Sequence, residues 1–303
     1  MYWSSGKELC SFARSGLSVI TACSRLRFSL VMWGAAFGVC SVARRKNTLV
    51  DHEEIGGAVR FVERDINELG DLFRHLRADA TTYPGPLWYR GQANAAWNLE
   101  PKMLRPANPN HPPEQHIINR FKQSAAYLLA SKPITDFDWL FLMQHHGMPT
   151  RLLDWSEGPL IALYFAVNEH PDADGALWVL APCELNKRAG YRPEWEYEIP
   201  SFEDEALSSY SPSKLASERR SSLQPMAAIA VRNSPRIHAQ QGVFTVSHRE
   251  NIRLDLITAQ PEESHYWKFN IPMGSKARII SELKLAGVGR FQLFPELSSI
   301  SIG

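Results

Sequence analysis

Apolar residues recur at Ile55, Val59, Val62, Ile66, Leu69, Phe73 and Leu76, in steps of four and three that lay one stripe along a long helix. Asp51 or an earlier polar residue caps it, and the run Thr81-Thr82-Tyr83-Pro84-Gly85-Pro86 stops it. A stripe this regular is expected to pack a core. Residues 87–90 read as a short strand ending at Gly91. Beyond a Pro- and Asn-rich loop over 105–113, a helix opens at Glu114 and buries Ile117, Ile118, Phe121, Ala125, Leu128 and Leu129. Further helices are expected over 138–146 and 157–168, the second carrying Leu160, Leu163, Tyr164 and Val167 on one side, and a buried strand over 176–180. Residues 184–230 are polar, Ser-rich and Pro-punctuated, which predicts a long loop or insertion with a short helix. Strands follow over 236–247 and 267–271, then a helix over 275–286 with Gly287 or Gly289 at its end. Helices and strands that do not strictly alternate predict an α+β domain, a mixed and mostly antiparallel sheet with packed helices.

Residues 1–46 do not share this texture. Glu8 is the only acidic residue before Asp51, Ser is frequent, and Arg14, Arg25, Arg27, Arg44, Arg45 and Lys46 are basic. The uncharged run 28–43 has 16 residues, short of the roughly 20 that cross a bilayer. A secretory signal, a transit segment and an extension that folds with nothing all fit it. The segment is therefore placed outside the folded domain, which takes in 51–303. Lys and Arg number 33 against 32 Asp and Glu, a net charge of +1 that supplies no bulk field for nucleic acid or membrane. Cys10, Cys23, Cys40 and Cys183 show neither a metal nor a redox spacing, so a reducing cytoplasm, no metal and no membrane contact of the domain are expected.

Three clusters place polar groups where core residues belong. The first is Trp88-Tyr89-Arg90-Gly91-Gln92, followed by Trp97, Leu99, Pro101 and Arg105. An Arg at the end of an apolar strand beside a glycine presents a fork of donors to a phosphate or carboxylate, or else pairs with a core carboxylate. The second runs from Gln144 through His145, His146, Gly147, Pro149, Thr150, Arg151, Asp154 and Trp155 to Ser156. Arg151 and Asp154 are close enough in sequence for a structural ion pair. No metal spacing is present, and without GxSxG a Ser156–His145 hydrolase is the least favoured use. The third is 234–245, where Gln241-Gly242 inside a strand suggests a bulge or close approach, together with Phe294-Pro295-Glu296-Leu297. Walker A and GxGxxG loops are missing from the sequence.

Tyr89-Arg90-Gly91-Gln92, then Glu114 and Phe121, then the block QHHGMPTRLLDW (144–155), then RIHAQQGVFTV and LFPEL, resemble in that order the FRG-domain family. More distantly the order is similar to that of ADP-ribosyltransferase folds. That likeness implies an NAD-dependent enzyme modifying nucleic acid or protein, in the manner of a toxin or phage-defence effector. It implies Arg90, Asp154, Tyr164, Gln241 and Glu296 as catalytic residues, and Tyr89, Arg90, Gly91, Gln92, Thr150, Arg151 and Trp155 around the nucleotide. The sequence departs from the pattern where a Glu belongs, because Gln241 offers no charge to a cationic sugar. Asp154 or Glu296 must then supply it. The rival is a non-catalytic module that senses a nucleotide or another anion through Arg90, Arg151 and Gln241. An enzyme predicts Arg90, Asp154, Tyr164, Gln241 and Glu296 in one concavity with a carboxylate aimed into it; a sensor predicts Arg and Gln without one. The short basic runs Arg44-Arg45-Lys46 and Arg219-Arg220 read as solvated surface.

Overall fold

A computed structural model describes residues 63–105, 112–129, 131–218, 222–232, 234–250, 252–257 and 264–296. Residues 1–46, the stripe positions Ile55, Val59 and Val62, and Arg219-Arg220 lie outside the described residues. The elements are, in order, β1 (Arg64–Asp65), α1 (Leu69–Thr82), β2 (Trp88–Gln92), α2 (Glu114–Ala125), α3 (Asp136–His145), β3 (Leu152–Ser156), α4 (Pro159–Val167), β4 (Gly175–Leu180) and α5 (Pro182–Arg188). They continue as α6 (Glu205–Ser208), α7 (Pro212–Ser217), β5 (Met226–Ala228), α8 (Pro235–Ala239), β6 (Gly242–Val246), β7 (Tyr266–Ile271), α9 (Lys276–Leu285) and α10 (Arg290–Leu293). Among the described residues the strands form one seven-stranded sheet in the order β1-β7-β4-β2-β3-β6-β5, antiparallel throughout except for the β1–β7 pair. The chain is thus α+β with a mixed, mostly antiparallel sheet and packed helices.

Strand alternation divides the sheet into two faces. Ala176, Trp178 and Leu180 of β4, Trp88 of β2 and Leu153 and Trp155 of β3 share one cluster with Leu99 and Leu185. Leu177 and Val179 of β4 and Trp267, Phe269 and Ile271 of β7 turn the other way, against α1, α4 and α9. On that second face a separate cluster joins Leu152 of β3 and Phe244 and Val246 of β6 to α2 and α3. The two groups of helices therefore share a sheet face.

α4 reads PLIALYFAV and is apolar around almost its whole circumference, which requires close packing on several sides. Glycines provide it. A Cβ on Gly91 would stand 1.9 Å from the Ala162 carbonyl oxygen, and one on Gly175 would stand 2.5 Å from that of Ala166. The buried Lys276 of α9 locks this corner, Nζ donating to the carbonyls of Ala93 at 2.7 Å, His170 at 2.8 Å and Glu169 at 3.2 Å. α3 is started by a reciprocal cap: Thr135 Oγ1 accepts from Asp138 N, and Asp138 Oδ2 accepts from Thr135 N. It ends at Gly147, whose φ of +75° is the left-handed conformation.

Several expectations are corrected. The expected long helix begins only at Leu69, because Arg64 and Asp65 pair with Phe269 and Asn270 of β7. The helix takes its phase from Leu69, so Leu72 is buried and Phe73 is 49% exposed. Its buried Asp79 answers Arg64 and the Trp267 indole. Glu282 of α9 accepts from Leu69 N at 2.7 Å and does the capping expected of Asp51. Residues 184–230 hold α6, α7, β5 and most of α5, more order than a loop with one short helix. At 236–247 a helical turn, α8, precedes the strand, because Ser234 accepts from Ile237 N and Pro235 takes the first helical position.

His265 gives this fold an acid sensitivity. Its ring is fully buried, and neither ring nitrogen has a hydrogen-bond partner among the described residues. Burial, then Arg188, pulls its pKa from 6.5 down to about 4. The unfolded chain therefore takes up a proton before the folded one does. The contribution of the neutral ring is complete above about pH 6.5 and is lost as the pH falls toward 4, an expected loss of about 2–3 kcal/mol. Urea unfolding at pH 7 and pH 4.5 checks this: His265→Phe should show a shallower pH slope than the wild type, and equal slopes would refute it.

Candidate functional site

Between the two groups of helices lies a cleft of about 900 Å³, with α3 and α4 as walls and β2, β3 and β6 beneath. Phe141 and His145 line it from α3, and Tyr164, Phe165 and Asn168 from α4. Tyr89, Arg90 and Gly91 come from β2, Asp154 from β3, Gly242 and Phe244 from β6, and Arg236, Arg290, Phe294 and Glu296 from the late segments. The size lies within the range of small-molecule sites, ~300–1,000 Å³.

Arg90 is the cation that β2 brings to the cleft. β2 keeps five register pairs with β4 but only Tyr89↔Ser156 with β3. Beside that sparse pairing, Arg90 Nη1 donates to the Asp154 main-chain carbonyl at 2.5 Å. Its Nε is shielded from solvent with no partner, and no carboxylate pairs with the guanidinium among the described residues. Burial lowers the Arg90 pKa, Asp154 opposes this, and Arg105 adds to it. A guanidinium nevertheless stays charged in a protein. Arg90 thus carries a positive charge with a shielded Nε and no ion pair among the described residues, a condition that an incoming anion relieves.

Asp154 stands at the middle of β3 with an exposed side chain, flanked by buried neighbours, and its carboxylate makes no hydrogen bond or ion pair among the described residues. Tyr164 is buried to 6% exposure; burial raises its pKa, with Arg290 pulling the other way. Phe165 meets Tyr164 and Phe294 edge-on at 5.7 and 5.9 Å. Glu296 Oε1 lies 3.6 Å from His145 Nε2 and 3.9 Å from Arg236 Nη1. The cleft therefore collects Arg90, Asp154, Tyr164 and Glu296, bordered by Tyr89, Gly91 and Trp155.

The other expected residues are occupied elsewhere. Gln241 precedes β6 at φ +46° and is exposed; Gln240 lines the cleft instead, with Nε2 on the Leu293 carbonyl at 3.1 Å. The β3–β6 register runs through Gly242 without a bulge, but the expected close approach is there: a Cβ on Gly242 would meet Ile237 Cγ2 at 3.3 Å and the Ile237 carbonyl oxygen at 3.5 Å. Gln92 is buried, accepting from the Trp178 indole at 2.7 Å and donating to the Asn98 carbonyl at 3.2 Å. Thr150 is buried and donates to Gln144. Arg151, also buried, does not pair with Asp154. Its Nε reaches both Glu114 oxygens at 2.9 and 3.0 Å, and Nη1 donates to the carbonyls of Ser247 and His248 at 3.0 and 2.5 Å. Arg151 thus ties α2 to β3 and β6 as scaffold. The Trp155 indole belongs to the opposite face, with Nε1 on Thr245 Oγ1 at 3.1 Å, and is not placed to stack on a guest.

Residues 85–175 match the family model of the FRG domain. The chain carries an FRG domain. The matched segment runs from the turn before β2 to the first residue of β4, and so contains the FRG motif Tyr89-Arg90-Gly91, the QHHGMPTRLLDW block, α3, β3 and α4. The FRG segment supplies the floor at Asp154 and both helical walls, while Arg236, Arg290, Phe294 and Glu296 close the cleft from outside it. No curated protein matches the chain. No solved structure matches it either. Sequence reasoning left His145, Arg236 and Arg290 out of the site; the density of polar residues around 144–156 pointed at His145, but nothing local names Glu296 as its neighbour.

No group of three or more His, Cys, Asp or Glu arranged for a metal occurs among the described residues. None of their helices is long and apolar enough to cross a membrane. Cys183 is free and buried, its thiol pushed up to about 11 mainly by burial, which removes it as a nucleophile.

Proposed function

We propose that the cleft binds NAD⁺ and that the protein transfers ADP-ribose from it to a nucleic-acid or protein acceptor. The reading is carried by one observation: Arg90, charged, with its Nε shielded and no ion pair among the described residues, lines the same cleft as Asp154, whose carboxylate is open. The cation would answer the pyrophosphate or ribose edge of the donor. The carboxylate would stabilise the positive charge that grows at the sugar carbon as nicotinamide departs. Tyr164, Phe165 and Phe294 give the apolar surface a nucleotide base or nicotinamide needs.

Calorimetry with NAD⁺, paired with a nicotinamide-release assay, tests the reading. Saturable binding is expected, and Arg90→Lys should weaken it by about tenfold or more, because an ammonium cannot reproduce a planar fork. Its melting temperature should stay close to that of the wild type. Absence of saturable binding would overturn the reading. A second reading, nucleotide sensing without turnover, draws on β6: it reads Gly-Val-Phe-Thr-Val and carries no carboxylate, with Gln241 turned outward ahead of it. Tight binding with no nicotinamide released would favour that reading.

A further inference from the structure

The cleft holds a second charged group that donor binding does not use. Glu296 Oε1 is shielded from solvent and has no hydrogen-bond partner among the described residues, yet His145 Nε2 stands 3.6 Å away and Arg236 Nη1 3.9 Å away. About a third of each side chain remains exposed, at 33% for His145, 35% for Glu296 and 32% for Arg236, so all three are open to a guest. They come from α3, α8 and the segment after α10. Phe294 steadies the arrangement: the Arg236 guanidinium lies 4.8 Å from its ring centroid and that of Arg290 lies 5.3 Å away.

The groups facing His145 are Glu296, Arg236 and His146, the last edge-on at 4.9 Å. Burial and then Arg236 hold the imidazole below its ordinary pKa, Glu296 pulls upward, and His146 lowers it further. The ring is consequently neutral at pH 7 and keeps a lone pair. With the proton on Nε2, the nitrogen nearer the Glu296 carboxylate at 3.6 Å, the lone pair lies on Nδ1.

We propose that His145, positioned by Glu296, accepts the proton of the acceptor's hydroxyl group during transfer. The inference rests on the reading of the cleft as an ADP-ribosyl donor site. As the bond between the donor sugar carbon and nicotinamide breaks, its electron pair leaves on nicotinamide. The acceptor oxygen then bonds to that carbon, and its proton passes to His145 Nδ1. Nicotinamide leaves neutral, and the positive charge ends on an imidazolium beside the Glu296 carboxylate, which stabilises it. Glu296 is in this sense a positioning residue. The chemistry selects a neutral hydroxyl acceptor; a carboxylate acceptor has no proton to give and needs no such base.

Titration of the His145 ring resonances by NMR, in the wild type and in Glu296→Gln, tests the pairing whatever the activity. Loss of the carboxylate should lower the midpoint by about half a pH unit or more. An unchanged midpoint would overturn the proposal. In single-turnover transfer to a hydroxyl acceptor, His145→Asn should be slower by about a hundredfold or more. Its affinity for NAD⁺ should be unchanged, and the acid limb of its pH–rate profile should disappear. A variant that keeps both rate and limb overturns the role of His145 while leaving the donor reading intact. A wild-type protein that binds no NAD⁺ overturns the donor reading, and the proton-acceptor role falls with it.

Discussion

Gly91→Ala is expected to cost the native state about 4 kcal/mol, beyond the usual ~1–3 kcal/mol for an added methylene in a packed core. The added carbon would lie 1.9 Å from the Ala162 carbonyl oxygen and 2.6 Å from Ala166 N. Both are main-chain atoms of α4, so no side chain can swing aside. The whole helix has to lift from β2, and Ala162, Leu163 and Ala166, all essentially inaccessible, lift with it. For a domain of this size the loss corresponds to a fall in melting temperature of roughly 10 °C. Gly274→Ala is the control, since nothing lies within 4 Å of a Cβ there. Thermal melts followed by circular dichroism decide the matter. A Gly91→Ala protein that melts with the control would mean that α4 does not approach the strand as described.

Arg151→Met should be nearly as damaging, at about 4 kcal/mol, because it strands a charge. Glu114, with 12% of its side chain exposed, would lose its ion-pair partner, and the carbonyls of Ser247 and His248 would lose their donor. Removing the carboxylate as well, in Arg151→Met/Glu114→Leu, should restore a large part of the loss, since the unpaired buried charge is then gone. Urea unfolding of the two single variants and the double variant measures this. If Arg151 served a ligand instead, Arg151→Met would unfold like the wild type and lose only NAD⁺ binding. The contrast with Arg90→Lys is the useful one: two arginines of the FRG segment, one expected to report on stability and the other on binding.

These pairs also mark what could be read along the chain. β2, α3, α4 and β4 were legible because each is bounded by its own neighbours: Pro159 at the first turn of α4, Gly147 after α3, and apolar strand runs next to glycine or proline. The family resemblance came from the same local blocks. The start of α1 was not legible. The apolar stripe passes through Ile66 without a break, and only the pairing of Arg64 and Asp65 with β7, some 200 residues on, makes them a strand.

The same division holds at the site. The order of residues made Tyr89-Arg90-Gly91 and the block ending in Asp154-Trp155 candidates, since a charged fork and a carboxylate amid apolar strands call for an explanation wherever they occur. Which of these polar groups face the cleft followed from contacts between distant segments. Glu114 takes Arg151 out of the site, Trp178 takes Gln92, and the turn at Gln241 puts Gln240 in its place. Glu296 reaches His145 only because the chain returns after α10 to the end of α3. Periodicity and turn chemistry act between near neighbours and are written into the order of residues. The partner of a buried charge is chosen by the packing of segments that meet only once the sheet has closed.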